Sequence, residues 1–380
     1  MTLARPSSFL QLLKWFAAAA ALAAGLVACG SGDRDDEALQ FAPTLTGEQE
    51  VPPVATGATG RGTLVVGLPS RTITGNITLE GMTANAAHIH EGAPGVNGPV
   101  IVPLTETAPG VWSVPAGTTL TEAQEAALRA GNLYFNAHST ANPGGEIRAQ
   151  IGREVLTATL SQAQEVPPTG SSATGTGMMV VDPATRRFSA RMTVTGIAAS
   201  AAHIHEGAPN VNGPIVFHLT QSSPGVWIAE GTLTEAQLAT MRAGNFYFNA
   251  HSAAFPNGEI RGQIGRHVGF ARLTGAEEVP PTPSTATGTG NVVVHPETRI
   301  ITGAIALTGI APNMAHIHIG APGTNGPVII HLVQQPGNVW VVPGDTRLTP
   351  EQLRAFKQGN LYFNAHTPAF PNGEIRGQIR

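Results

Sequence analysis

The stretch Ala87-His88-Ile89-His90-Glu91-Gly92-Ala93-Pro94 decides the fold, because it occurs three times along the chain. It returns unchanged at 202–209, and at 315–322 with isoleucine in place of the glutamate. The copies are 115 and then 113 residues apart. A period of this length is that of a whole domain, so the repeat predicts three tandem domains rather than a solenoid.

Flanking motifs extend each repeat over a full domain. Glu-Val-Pro-Pro opens every unit, a single Trp follows the His-Ile-His block, and Asn-Ala-His and Gly-Glu-Ile-Arg close the unit. These motifs place domain 1 at 39–153, domain 2 at 154–266 and domain 3 at 267–380. Domains of this size are large enough to bury cores of their own.

Short apolar runs separated by glycine and proline indicate that the domains are mainly β. The chain has 45 Gly and 30 Pro, and Val, Ile and Thr dominate the runs between them. Several short strands with frequent turns are typical of a sandwich or a barrel. We also expect one short helix per domain, since Thr121 and Thr234 begin capping boxes and Thr349 precedes a proline in a first helical turn.

The first 28 residues are predicted to be an export signal. Trp15–Val27 is an apolar run of 13 residues behind Arg5 and Lys14, too short for a transmembrane helix of about 20 residues. The run ends in Leu-Val-Ala-Cys29, which resembles a bacterial lipobox and implies lipidation of Cys29. Residues 29–38 then form a polar tether. We expect a lipoprotein of the bacterial cell envelope, anchored to the outer membrane or cell surface rather than the inner membrane; a plain secreted protein is the alternative.

Charge and cysteine content exclude other classes of protein. The net charge is −4 and only 12% of the residues are charged, with no basic stretch, so nucleic acid is not an expected partner. Cys29 is the only cysteine. The predicted domains therefore contain neither disulfides nor thiolate metal sites.

Histidines supply the candidate site. Alternate residues of a strand share a face, so His88 and His90 lie side by side. Residues 133–138 are predicted to be a strand that enters a hairpin, which offers His138 as a third imidazole and Glu146 as its cross-strand neighbour. Three imidazoles suit Zn(II) or Cu(II), and a carboxylate can be a fourth ligand or orient a histidine. The candidate metal ligands are His88, His90, His138, His203, His205, His251, His316, His318 and His366, with Glu146, Glu259 and Glu374 as auxiliary residues.

Differences among the copies limit what a shared site can require. His218 and His331 lie in the apolar run of domains 2 and 3, where domain 1 has Pro103. A site common to all three domains therefore cannot depend on them. Glu91 corresponds to Ile319 in domain 3, which makes this position a poor candidate ligand.

The histidines also have a structural interpretation, which stays open. They can lie on the wetter face of a sandwich and bond to backbone carbonyls or to the strand that returns from the hairpin. On that strand the isoleucines should face the core and leave Glu146, Arg148 and Gln150 outward.

The repeated blocks resemble the CHRD domain, the module named after chordin. The matching elements are Glu-Val-Pro-Pro, Ala-His-Ile-His-x-Gly-Ala-Pro, Gly-Asn-Leu-Tyr-Phe-Asn-Ala-His and Gly-Glu-Ile-Arg-Gly-Gln-Ile, which recur in order over 39–380. The resemblance implies an immunoglobulin-like β-sandwich without an established activity. A shorter similarity links residues 88–91 to the copper-site strand of copper/zinc superoxide dismutase, a related sandwich. The cysteine pair and the bridging-histidine loop of that enzyme have no counterpart, so dismutase activity is not expected.

Two classes of function follow from the sequence. The first, which it favours, is a lipid-anchored, non-catalytic binding or adhesion-type module with a protein or surface partner that remains to be identified. The second is a copper- or zinc-binding protein with one site per domain, serving copper handling or weak redox chemistry. The distances between the histidine nitrogens test the second class of function. Nitrogens more than about 6 Å apart cannot share an ion whose bonds are about 2.0–2.1 Å.

Overall fold

A computed structural model describes residues 38–380, which form a mainly β protein. The predicted export signal, Cys29 and residues 29–37 of the tether lie outside the described residues. Three sheets follow one another along the chain, and each curls until it is nearly closed. Each sheet is accompanied by one α-helix and one short 3-10 turn.

The elements repeat in the same order in the three domains. Domain 1 contains β1 (Ala38–Phe41), β2 (Thr44–Thr46), β3 (Thr59–Gly67), β4 (Thr72–Glu80), β5 (Ala86–Glu91), β6 (Val100–Pro103), β7 (Thr105–Ala108), β8 (Val111–Ser113), α1 (Glu122–Arg129), β9 (Leu133–His138) and β10 (Ile147–Gln150). Domain 2 contains β11 (Glu154–Ser161), β12 (Thr174–Val181), β13 (Arg187–Thr195), β14 (Ala201–Glu206), β15 (Ile215–His218), β16 (Thr220–Ser223), β17 (Val226–Thr232), α2 (Glu235–Arg242), β18 (Phe246–His251) and β19 (Ile260–Gln263). Domain 3 contains β20 (His267–Thr274), β21 (Thr287–Val294), β22 (Ile301–Thr308), β23 (Met314–Ile319), β24 (Val328–His331), β25 (Val333–Gln335), β26 (Val339–Val341), α3 (Pro350–Lys357), β27 (Leu361–Thr367) and β28 (Phe370–Ile379). The 3-10 turns are Gly47–Gln49, Gln162–Gln164 and Gly275–Glu277.

Every sheet is antiparallel and follows one topology. The strand order in domain 1 is β6-β5-β9-β10-β2-β3-β4-β8-β7, with β1 added to β3. Domains 2 and 3 repeat it as β15-β14-β18-β19-β11-β12-β13-β17-β16 and β24-β23-β27-β28-β20-β21-β22-β26-β25. The His-Ile-His strand of each domain therefore lies between a short edge strand and the strand that carries the third histidine.

Core residues and candidate site residues alternate along the same strands. Ile89 on β5 and Phe135 and Ala137 on β9 are fully buried in the core of domain 1. The alternate positions place His88, His90 and their β9 neighbours on the opposite face. Burial of each large apolar side chain contributes about 1.5–3 kcal/mol, so the strands that carry the histidines are held firmly.

The helices begin as the sequence predicts. Thr121 accepts a hydrogen bond from the Gln124 amide, and the Gln124 side chain accepts one from the Thr121 amide. The same capping box forms at Thr234 and Thr349. No helix of the described residues has the length and apolar character needed to cross a bilayer.

Domains 1 and 3 contact each other through a buried charge cluster. The Glu48 carboxylate forms an ion pair with Lys357 and lies 2.8 Å from Nε2 of His267. Burial raises the pKa of Glu48, but His267 and Lys357 outweigh burial and hold that pKa well below its ordinary value. A second contact pairs Arg299 of domain 3 with Glu80 of domain 1 at 2.6 Å. The ends of the array are therefore joined to each other.

We predict that Lys357→Met lowers the free energy of unfolding by about 3–5 kcal/mol, because it leaves the buried Glu48 carboxylate without its lysine. Denaturant unfolding of the whole chain at pH 7 measures this loss. Glu48→Gln in the same chain removes the unpaired charge and should restore part of the stability. A Lys357→Met protein as stable as the parent would show that the contact does not form.

Candidate metal centre

The pairing of β5 with β9 assembles the three histidines of domain 1. Ala86 lies opposite His138, and His90 lies opposite Tyr134, so all the even-numbered positions share one face. One ring nitrogen from each of His88, His90 and His138 lies within 4.8 Å of the other two. The same set forms in domain 2 from His203, His205 and His251, and in domain 3 from His316, His318 and His366.

These distances meet the geometric condition for a shared ion. Nitrogens bound to one ion at about 2.0–2.1 Å are about 3.3–3.5 Å apart. In domain 1, His88 Nδ1 is already 3.2 Å from His138 Nε2, and the equivalent distances are 3.0 and 3.1 Å in domains 2 and 3. Drawing in the remaining nitrogen requires a movement of about 1 Å.

Backbone carbonyls fix the protonation of two rings in each cluster. Nδ1 of His90 donates to the Gly98 carbonyl at 3.0 Å, and Nδ1 of His138 donates to the Pro143 carbonyl at 3.1 Å. Because a carbonyl only accepts, both rings carry the proton on Nδ1 and keep a lone pair on Nε2. Histidines that bind metals are usually oriented in this way, with the other ring N–H given to a carbonyl or carboxylate.

One buried ring nitrogen of each cluster has no hydrogen-bond partner among the described residues. It is Nε2 of His90, and the equivalent atoms of His205 and His318, and all three are buried. His138 Nε2 by contrast accepts from His88 Nδ1. If His88 carries its proton on Nε2 instead, its Nδ1 and the Nε2 atoms of His90 and His138 present three lone pairs to one another.

The surroundings keep the imidazoles neutral. Burial lowers the pKa of His90 and His138, although their carbonyl acceptors oppose the shift. Burial and neighbouring imidazoles lower the pKa of His203 and of His316 to about 4. Neutral rings are the form that binds metals, so the lone pairs are available at neutral pH.

An aromatic and a cationic side chain support the cluster from one side. The Tyr134 ring stacks on His90 with centroids 4.9 Å apart and an interplanar angle of 12°. The Arg148 guanidinium lies over the Tyr134 ring, 3.5 Å from its centroid. Tyr247 with Arg261 and Tyr362 with Arg376 repeat the arrangement. The stack fixes the plane of His90.

A loop of residues 92–98 covers this stack. Arg148 donates to the Ala93 carbonyl, Gln150 donates to the Gly92 carbonyl, and the Gly98 amide donates to the Tyr134 hydroxyl. A Cβ on Gly98 would lie 1.7 Å from the Glu91 carbonyl oxygen, so only glycine permits this approach. The expectation that Glu146, Arg148 and Gln150 face outward is wrong with respect to solvent, because they are only 5%, 1% and 2% exposed.

The auxiliary carboxylates do not join the histidines. Glu146 accepts from the hydroxyls of Thr56 and Ser139. Glu259 is bound by Ser171 and Ser252, and Glu374 by Ser284 and Thr367. None of these carboxylates belongs to the ligand sets described above. Their hydroxyl donors come partly from a loop about ninety residues earlier in the chain, which the hairpin spacing does not reveal.

Sequence reasoning missed a second buried carboxylate, that of the Glu-Val-Pro-Pro motif. Glu50 is 4% exposed beside Asn136, and burial raises its pKa to about 7 although Arg148 and Asn136 oppose the shift. Burial likewise raises the pKa of Glu165 and of Glu278 to about 7. The recurrence of Glu-Val-Pro-Pro in every domain is the sequence feature that could have indicated these glutamates.

Fold and site together define a class: a tandem array of antiparallel β domains, each with a three-histidine cluster on one face of its sheet. A family model described as the CHRD domain matches residues 41–151, 156–264 and 270–379. The chain therefore belongs to the CHRD domain family, as its motifs predict. No match was found among curated proteins or among solved structures.

The buried glutamates predict an unusual pH dependence of stability. A glutamate with a folded-state pKa near 7 holds a proton that the unfolded chain releases from about pH 4.5 upward, so its contribution to stability is lost as the pH rises through this window. The triple variant Glu50→Gln, Glu165→Gln and Glu278→Gln stays neutral. Relative to the parent it should gain roughly 3 kcal/mol per domain between pH 4.5 and 8.

Thermal and denaturant unfolding at several pH values measure this difference. Glu122→Gln, which changes an exposed carboxylate on α1, is the control and should leave the pH profile close to that of the parent. A constant difference between triple variant and parent from pH 4.5 to 8 would show that the buried glutamates have ordinary pKa values.

Proposed function

We propose that this protein is a lipid-anchored, non-catalytic metal-binding protein that holds one Cu(II) or Zn(II) ion in each CHRD domain. The observation that carries the proposal is the arrangement of lone pairs in each cluster. Three imidazole nitrogens lie within 4.8 Å, two of them fixed in the right tautomer by backbone carbonyls. An adhesion-type role stays a prediction from the sequence.

The unpaired nitrogen supports metal binding over a purely structural role. A buried polar atom without a partner costs about 1–3 kcal/mol, and the same atom is left unpaired in all three domains. A structural cluster would be more stable if this nitrogen had a donor. An ion bonded to His90 Nε2 removes the cost and uses the lone pair where it already points.

The ligand set favours copper or zinc over harder cations. Imidazole suits zinc and copper, whereas magnesium and calcium prefer carboxylate and carbonyl oxygens. The nearest sequence-predicted carboxylate, Glu146, is occupied by hydroxyl donors. Three protein ligands leave at least one position of the ion for water or another small ligand.

The proposal includes the finer fold, an immunoglobulin-like or superoxide dismutase-like sandwich, which the curled antiparallel sheets support.

We predict that the purified chain, freed of metal and reconstituted, binds three Cu(II) or Zn(II) ions. His90→Ala should reduce the number to two, and the variant with His90→Ala, His205→Ala and His318→Ala should bind none with comparable affinity. Elemental analysis after gel filtration gives the stoichiometry. Binding should weaken as the pH falls toward about 4, where protons compete for the imidazoles of His203 and His316.

The matched control is His267→Gln, which removes an imidazole outside the clusters at the contact between domains 1 and 3. This variant should still bind three ions. Less than one ion per parent chain, unchanged by His90→Ala, would rule out the proposed function.

The proposed location rests on the sequence around Cys29. A lipid-modified Cys29 would tether the three domains to the bacterial envelope, with the outer membrane or cell surface favoured. We predict that Cys29→Ala moves the protein from the membrane fraction to the soluble fraction and abolishes metabolic labelling with a fatty acid. The parent chain recovered only in the soluble fraction would instead favour a plain secreted protein.

A further inference from the structure

The edge strand beside each cluster differs between domain 1 and the other two domains. His218 on β15 lies directly opposite His203, and His331 on β24 lies directly opposite His316. In domain 1 the residue opposite His88 is Pro103. Directly opposed residues share a face of the sheet, so domains 2 and 3 present a fourth imidazole on the face of the cluster.

The fourth ring is close to the cluster without belonging to it. The His218 and His203 ring centroids are 4.8 Å apart, and those of His331 and His316 are 4.7 Å apart, with the rings nearly perpendicular. Neither ring is among the ligand atoms that lie within 4.8 Å of one another. Both side chains are exposed at the solvent side of the cluster.

Exposure leaves the fourth ring free to move. β15 and β24 are the end strands of their sheets, so no strand of residues 38–380 pairs with them on the other side. An exposed side chain changes rotamer readily, and a histidine at a directly opposed position starts with its Cβ about 4.5–5.5 Å from that of its partner.

We propose that domains 2 and 3 bind their ion with four imidazoles, His218 and His331 acting as the outer ligand, while domain 1 binds with three. This inference rests on the metal sites proposed above. The three sites are then unequal: two retain copper tightly, and the site of domain 1 is weaker and keeps one more position open to a small ligand. The difference between the sites comes from one position of the edge strand, which is Pro103 in domain 1, His218 in domain 2 and His331 in domain 3.

The test measures each site alone in the full chain. His205→Ala with His318→Ala leaves only the domain 1 site, and His90→Ala with His318→Ala leaves only the domain 2 site. Competition with a chelator should show that the domain 2 site holds Cu(II) at least about tenfold more tightly. Electron paramagnetic resonance of the bound Cu(II) should show coupling to four nitrogens in domain 2 and to three in domain 1.

Exchange of the edge residue provides the decisive variants. His218→Ala or His218→Gln in the domain 2 background should lower the affinity to that of domain 1 and remove one nitrogen coupling. Pro103→His in the domain 1 background should raise the affinity to that of domain 2 and add one nitrogen coupling. Thr220→Ala, an exposed change on β16, the next strand along the chain, and Pro103→Ala are the controls and should leave binding unchanged.

The outcomes separate this inference from the proposed function. Equal affinities, three nitrogens at every site and no effect of His218→Ala would overturn the inference and leave the three-histidine sites intact. An effect of His218→Ala on the rate of copper loading alone would overturn it as well. A folded parent chain that binds no copper or zinc would overturn the proposed function itself.

Discussion

The antiparallel register between β5 and β9 is the constraint on which the rest of each site depends. It places residues of two segments almost fifty positions apart on one face, so that His88, His90 and His138 meet. A slip of one residue would turn the β5 histidines into the core and Ile89 into solvent. The buried side chains of Ile89 and Phe135 prevent this slip from one face, and the stack of His90 on Tyr134 opposes it from the other.

Local patterns in the sequence were enough to predict three mainly β domains and to bring three histidines of each domain together. The alternation in His-Ile-His places two rings on one face, and the repeat of Asn-Ala-His supplies the third, because both depend only on the period of a strand. The helix starts followed from capping chemistry that involves residues three positions apart. These features are short-range, and the structure retains them in every domain.

The environment of the site could not be predicted in the same way, because it is made by distant segments. The alternation along the strand predicts that Arg148 faces outward, yet the loop of residues 92–98 closes over it. The hairpin spacing predicts that Glu146 lies beside His138, yet its carboxylate accepts a hydrogen bond from Thr56, ninety positions earlier in the chain. Glu50 belongs to a motif that the sequence indicates only as the start of a domain, yet it is buried beside Asn136. None of these contacts has a period or a local spacing that the sequence displays.

Burial is the main reason why the cluster stays neutral, and the buried Arg148 adds to this effect at His90. Among the described residues, no carboxylate lies within ion-pair distance of Arg148, and its donors are satisfied by carbonyls and by Gln150. Its positive charge acts on the pKa of His90 in the same direction as burial, against the imidazolium form. The Tyr134 ring contacts both the Arg148 guanidinium and the His90 imidazole, so it holds the two groups in fixed positions. A buried cation, an aromatic ring and a glycine-dependent loop thus fix one imidazole, whose Nε2 has no hydrogen-bond partner among the described residues. This arrangement supports the proposed role of that nitrogen as a metal ligand.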